Sequence, residues 1–194
     1  MSLIIGLTGP TGSGKSSASS EAQNQGFKVI NCDKLARVAV EKGTEGLVKL
    51  TQVFGDGILN TDGTLNRKVL AQKAFSSAEN TKLLNETLLP IIAKMVKAEA
   101  TGEYVLLDAP TLFESGIDSI CDSTIAVLAD RDIRFERIMK RDNMDEDAAN
   151  LRINAGKNED FYKAKADYII YNNNDEISFI LKFREIINEI KGKI

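Results

Sequence analysis

The sequence predicts an α/β fold around a five-stranded, mainly parallel sheet flanked by helices. Short apolar runs alternate along the chain with longer stretches of helical period, the pattern of strands joined by helical crossovers. The runs are short and largely apolar rather than apolar at every second position, as strands covered on both faces should be. A chain of 194 residues suits one domain of this kind, with a core large enough to need no staples.

The first strand is expected at Leu3–Leu7, followed by a glycine-rich turn and a helix starting near Lys15. The second falls at Phe27–Asn31. Residues 32–103 then contain no convincing strand. They show helical patterns at Glu45–Phe54, Arg67–Phe75, Glu79–Leu88 and Ile91–Glu99, broken by Gly55-Asp56-Gly57 and by the turn signal Thr61-Asp62-Gly63. Pro90 stands where a new helix is expected to begin, at its first position. This is too long for a plain crossover, so residues 38–100 read as a helical insertion at one edge of the sheet. Strands resume at Tyr104–Leu107 and Thr124–Leu128, and a helix covers Ile133–Lys140. An irregular, charge-rich stretch from Asp142 to Asp160 leads to the last strand, Tyr168–Tyr171. Asn172-Asn173-Asn174 read as a loop or a capping cluster. In the final helix Ile177, Ile180, Leu181, Ile187 and Ile190 are expected on one packing face.

Composition removes whole classes of chemistry. The chain has no histidine, which excludes Ser-His-Asp and Cys-His mechanisms and His-ligated zinc. Its two cysteines, Cys32 and Cys121, lie far apart, so neither a disulfide framework nor a four-cysteine metal site is available. They fit a reducing compartment, as small hydrophobes rather than nucleophiles. A net charge of -3 argues against a nucleic-acid partner. No apolar run approaches the ~20 residues of a membrane span, and the N-terminus lacks the form of a signal peptide. The expectation is a soluble, cytoplasmic chain with no membrane partner; the oligomeric state is left open.

Gly9-Pro10-Thr11-Gly12-Ser13-Gly14-Lys15-Ser16 is a complete G-x-x-x-x-G-K-[ST] phosphate loop, placed after an apolar strand and before a helix. Gly12 and Gly14 let backbone N–H groups curl around an anion, and the following helix adds its positive dipole end. Lys15 brings a mobile charge to the outer phosphates, and the Ser16 hydroxyl reaches Mg²⁺. Thr11, Gly12, Ser13, Gly14, Lys15, Ser16 and Ser17 are therefore the expected nucleotide-binding segment. A GTPase would carry Asn-Lys-x-Asp and Asp-x-x-Gly, and neither occurs. A motor ATPase commonly ends its acidic strand in a pair of acids, whereas Leu106-Leu107-Asp108-Ala109 offers one. A small-molecule kinase with the P-loop kinase fold is left. Asp33 follows the second strand at its carboxyl end, where the ligand crevice of such a sheet lies. It is placed either to accept the proton of an attacking hydroxyl or to cap the next helix.

Further segments match a known pattern: Gly6-Leu7-Thr8-Gly9; Asp33 with Arg37 four positions on; Phe54-Gly55; and Asp62-Gly63-Thr64-Leu65-Asn66-Arg67. The most specific is Asp108-Ala109-Pro110-Thr111-Leu112-Phe113-Glu114, followed by Arg137, Arg141, Ala149, Arg152-Ile153 and Ala166-Asp167-Tyr168. In these residues and their order the chain resembles the dephospho-CoA kinase family. The resemblance implies ATP-dependent phosphorylation of the ribose 3′-hydroxyl of dephospho-CoA, with ATP as co-substrate. It makes Asp33 the general base, and Lys15 and Arg141 further catalytic groups. Arg37, Arg67, Asp108, Leu112, Phe113 and Glu114 would hold the small-molecule acceptor, with residues 38–100 as the acceptor-binding insertion. Arg141, just before a lid at residues 142–160, and Arg152 within it would close on ATP phosphates, all in a single domain, 1–194.

The chain departs from the family pattern at four places: Asn66 for an aspartate, Leu89 for a histidine before Pro90, Thr111 for a leucine and Gly156 for a lid glutamine. These touch acceptor and lid contacts and leave the phosphate chemistry intact. Two other readings stand beside this one: another nucleoside or nucleoside-monophosphate kinase of the same architecture, and a non-catalytic P-loop protein that only binds nucleotide.

Overall fold

The computed structural model describes residues 2–193. Its strands are β1 (Leu3–Thr8), β2 (Lys28–Asn31), β3 (Tyr104–Asp108), β4 (Ser123–Leu128) and β5 (Tyr168–Tyr171). They form one sheet in the order β2-β3-β1-β4-β5, and every neighbouring pair is parallel. The expected sheet is therefore present, and parallel throughout rather than mainly so. From β1 the chain passes over β3 to reach β2, and from β3 it passes over β1 to reach β4. The winding direction thus reverses between β1 and β3, where a crevice opens beyond the strand ends. Asp108, at the end of β3, is in register with Leu7 of β1 on one side and Asn31 of β2 on the other. Three strand ends converge there.

The helices are α1 (Lys15–Asn24), α2 (Cys32–Val38), α3 (Glu45–Phe54), α4 (Arg67–Ala74), α5 (Ala78–Glu99), α6 (Leu112–Ser115), α7 (Arg131–Asp142), α8 (Glu146–Asn154), α9 (Glu159–Lys163) and α10 (Glu176–Lys191). Several begin on a side-chain cap, among them Thr44 on α3, Asn66 on α4, Ser77 on α5 and Asp175 on α10. Asn66 caps as well as the aspartate it replaces, so that departure is silent for the helix. Residues on the two faces of β3 alternate as a strand requires. Val105 and Leu107 join Ile30 under α2–α6, while Leu106 joins Ile5, Leu7, Ile125 and Val127 under α1 and α10. The insertion thus shares one continuous core with the sheet.

Three expectations are corrected. Pro90 does not start a helix; it lies inside α5, which runs unbroken through it. The stretch from Asp142 to Asp160 is not irregular: Asp145 caps α8 within it, and Asn158 caps α9 at its end. In α10 the packing face is Phe179, Phe183, Ile187 and Ile190, with Ile180 partly covered, while Ile177 is 73% and Leu181 51% exposed. Large aromatic rings at positions 179 and 183 set the orientation of the helix, and Ile177 and Leu181 were left outside. Among the described residues, no helix is long and apolar enough to cross a membrane.

Candidate active site

A cavity of about 1180 Å³ opens at the reversal point, between the strand ends and the helices α7 and α8. Its floor is the loop from Gly9 to Ser17. Gly12 and Gly14 have φ of +79° and +104°, left-handed backbone that lets the loop curl. Gly14 also occupies the N-cap position of α1, and no side chain caps that helix. The orphan N–H groups of its first turn and the positive end of its dipole are left for an anion. Thr11, Gly12, Gly14, Lys15, Ser16 and Ser17 line the cavity; Ser13 is fully buried behind it.

Lys15 lies across its own loop, donating from Nζ to the carbonyls of Gly9 at 2.6 Å and Pro10 at 3.2 Å. Burial pulls its pKa down to about 8, against the attraction of Asp108 and Asp33, while Arg141 and Arg134 push in the same direction as burial. Asp108 accepts a hydrogen bond from Ser19 Oγ at 3.2 Å. Its pKa is raised, chiefly by desolvation, with a further push from Asp33. Lys15, Asp108 and Asp33 therefore feel one another across the crevice.

The position of Asp33 is resolved by its neighbour. Asn31, the last residue of β2, caps α2 by accepting from the Lys34 N–H at 2.9 Å. Asp33 sits in the first turn of α2 without the capping duty, exposed and lining the cavity. On the opposite wall Asp142 joins the two expected arginines. Arg141 meets it through Nε and Nη2, both at 2.8 Å, and Arg152 through Nη1 at 2.8 Å. Arg141 and Arg152 line the cavity.

The expected acceptor residues are scattered. Glu114 lines the cavity, and one of its carboxylate oxygens is buried without a hydrogen-bond partner among the described residues. Leu112 is fully buried in the core under α2–α6. Phe113 packs edge-on against Phe161, with Lys165 Nζ 5.8 Å above its ring, and does not line the cavity. Arg37, on the last turn of α2, and Arg67, the first residue of α4, are exposed and outside it. The cavity also includes Arg137, Tyr162 and Asn172, which the sequence reading did not select as site residues. Burial, with Glu114 nearby, pushes the Tyr162 phenol up to about 12. Asn172 was readable in principle, since it directly follows a strand whose carboxyl end faces the crevice.

The dephospho-CoA kinase family model matches residues 3–177. The chain is 37% identical to the dephospho-CoA kinase of Corynebacterium efficiens over 198 aligned positions, covering 99% of each chain. It is 39% identical to that of Listeria monocytogenes, over 89% of this chain and 90% of the other. The crystal structure of a Thermus thermophilus protein superposes with a TM-score of 0.75 at 27% identity, over 97% of both chains. With the phosphate loop, the reversal-point cavity and a match across nearly its whole length, the chain belongs to the dephospho-CoA kinase family.

Proposed function

We propose that the chain transfers the γ-phosphoryl group of ATP to the ribose 3′-hydroxyl of dephospho-CoA, giving coenzyme A and ADP. The observation that carries this reading is Asp33: a carboxylate relieved of capping by Asn31, on the cavity that Lys15 and two arginines also line. In the transfer the 3′-oxygen forms its bond to the γ-phosphorus as the bond to the β,γ-bridging oxygen breaks. The hydroxyl proton passes to Asp33. The loop N–H groups and Lys15 hold the triphosphate. Arg141 and Arg152 turn from Asp142 to the phosphates as residues 142–160 close as a lid, which excludes water and offsets developing charge. Arg37, Arg67 and Glu114 serve the acceptor when residues 38–100 and the lid draw in around it, with Leu112 and Phe113 supporting that wall from the core. We treat residues 1–194 as a single domain.

The donor set suits Mg²⁺. The Ser16 hydroxyl and the Asp108 carboxylate line the same cavity, both hard oxygen ligands, and desolvation leaves Asp108 in want of a cation. Among the described residues, no cluster of three or more His, Cys, Asp or Glu forms a metal cage, which suits an ion carried in with the phosphates. When bound, Mg²⁺ neutralises phosphate charge. Cys32 and Cys121 are both free thiols, in keeping with a cytoplasmic protein, and the negative net charge speaks against a nucleic-acid partner.

The test is an acceptor screen with Mg·ATP, setting dephospho-CoA against AMP, UMP and nucleosides. Turnover on dephospho-CoA, with a new 3′-phosphomonoester seen by phosphorus NMR, is the expected result. ATP binding without turnover on any acceptor would overturn it. Asp33→Asn isolates the base. Turnover should fall ~10²–10⁴-fold, with the melting temperature unchanged because Asn31 keeps the cap. A rate near that of the parent removes Asp33 from that role.

A further inference from the structure

We infer that Asn172 is a positioning residue for the nucleotide: its carboxamide fixes the phosphate loop in the shape that receives the triphosphate. The inference rests on the reading of the loop as an ATP site and is independent of the acceptor's identity. Asn172 follows β5 and is only 6% exposed. Its backbone N–H donates to the Leu128 carbonyl at 2.8 Å, which continues the pairing of β5 with β4 and anchors the residue to the sheet. From that anchor Nδ2 donates to the Ser13 carbonyl at 2.9 Å, and Oδ1 accepts from Arg137 Nη2 at 3.3 Å. From a residue anchored in the central sheet by its backbone, the carboxamide thus ties the phosphate loop to α7.

The bond to Ser13 has a directional consequence. A planar trans peptide sends its N–H the opposite way from its C=O. Pinning the Ser13 carbonyl therefore fixes where the Gly14 N–H points, at the start of the uncapped helix α1. Gly14 is matched to this contact in two ways. Its φ of +104° strains any L side chain, and a Cβ placed on it would lie 2.1 Å from Asn172 Nδ2. The glycine of the motif is thus required by Asn172 as well as by the turn. The Ser13 hydroxyl cannot take over, because it is buried with no hydrogen-bond partner among the described residues. An untied loop would have to be ordered at the moment of binding, and that ordering would weaken affinity for any polyphosphate.

Asn172→Asp tests this with an almost isosteric side chain that has lost its donor and repels the Ser13 carbonyl. Asn172→Ala is the second variant, which removes the tie without adding charge. Calorimetry measures the affinity of each for ATP and for inorganic tripolyphosphate, alongside thermal melts and the KM for dephospho-CoA. The expected result is an equal loss, tenfold or more, for ATP and tripolyphosphate in whichever variants melt cooperatively, with the KM for dephospho-CoA unchanged. A tenfold loss is the scale of one buried hydrogen bond left unmade. Unchanged tripolyphosphate affinity in a folded variant overturns the inference, even where ATP weakens, because Asn172 would then touch the nucleoside. Failure of both variants to fold overturns it as well and makes Asn172 a residue of the fold.

Discussion

Lys15 carries a positive charge into a place that disfavours it while the phosphates are away. Its ammonium is held by two loop carbonyls, and burial brings its pKa from an ordinary 10.5 to about 8. The consequence for stability has a definite sign. Below pH 8 both folded and unfolded chains hold the proton, and the folded state bears the full cost of burying the charge. Between about 8 and 10.5 the folded state releases the proton while the unfolded chain keeps it, so stability gains from this group as pH rises. Lys15→Met removes the charge at every pH. Its stability relative to the parent, from urea melts of the ligand-free protein, should therefore be most favourable and flat up to about pH 8 and decline from there to pH 10.5. A difference independent of pH would mean that Lys15 is not desolvated. The same variant should lose turnover, because methionine offers nothing to the outer phosphates.

At the scale of elements, α5 shows what sequence pattern reads well and what it misses. The five strands were legible because each is a short apolar run bounded by turns, and the phosphate loop because its residues are contiguous. Pro90 was misread because a proline at a helix start and one inside a long helix differ only in what precedes them. The capping of α2 by Asn31 depended on where β2 stops to the residue, and the outward turn of Leu181 on two phenylalanines outcompeting it. Arg37, Arg67 and Phe113 came from family pattern alone, and no local signal says whether such a side chain reaches a cavity. Pro90 leaves the Glu86 carbonyl without its usual donor at an exposed point of α5. Pro90→Ala restores that N–H. A proline costs about 3 kcal/mol inside a helix, and removing it returns about 0.4–1 kcal/mol of freedom to the unfolded chain. A gain on the order of 2 kcal/mol in denaturant melts is expected. A loss would show that Pro90 supports local packing of α5 beyond its missing hydrogen bond, for instance the contact by which Asn85 donates to the Glu114 carbonyl.

The molecule as a whole distributes its packing unevenly. Two large clusters sandwich the sheet, one of them shared with the insertion, so those parts unfold together or not at all. The region proposed as the lid has its own small cluster: Ile138 of α7 against Ala149 and Ile153 of α8, with Phe135, Met139 and Met144 at its edge. Beyond this cluster, α8 is tied by the Arg152–Asp142 ion pair and by Arg131 donating to Asn150, and exposed pairs of this kind contribute little. α8 packs on α7 rather than on the sheet, so it should open at lower free energy than the sheet. Ile153→Ala removes a buried side chain whose loss from a shared core would cost about 2–5 kcal/mol of global stability. In a separately opening element, that cost falls on the local equilibrium instead. The melting temperature should then barely move, while amide exchange in residues 146–154 accelerates. Because Arg152 is carried on the same helix, the KM for ATP should rise by roughly tenfold as the competent population shrinks. A full drop in global stability with unchanged ATP kinetics would sink the idea, because α8 would then be part of the common core and no moving element.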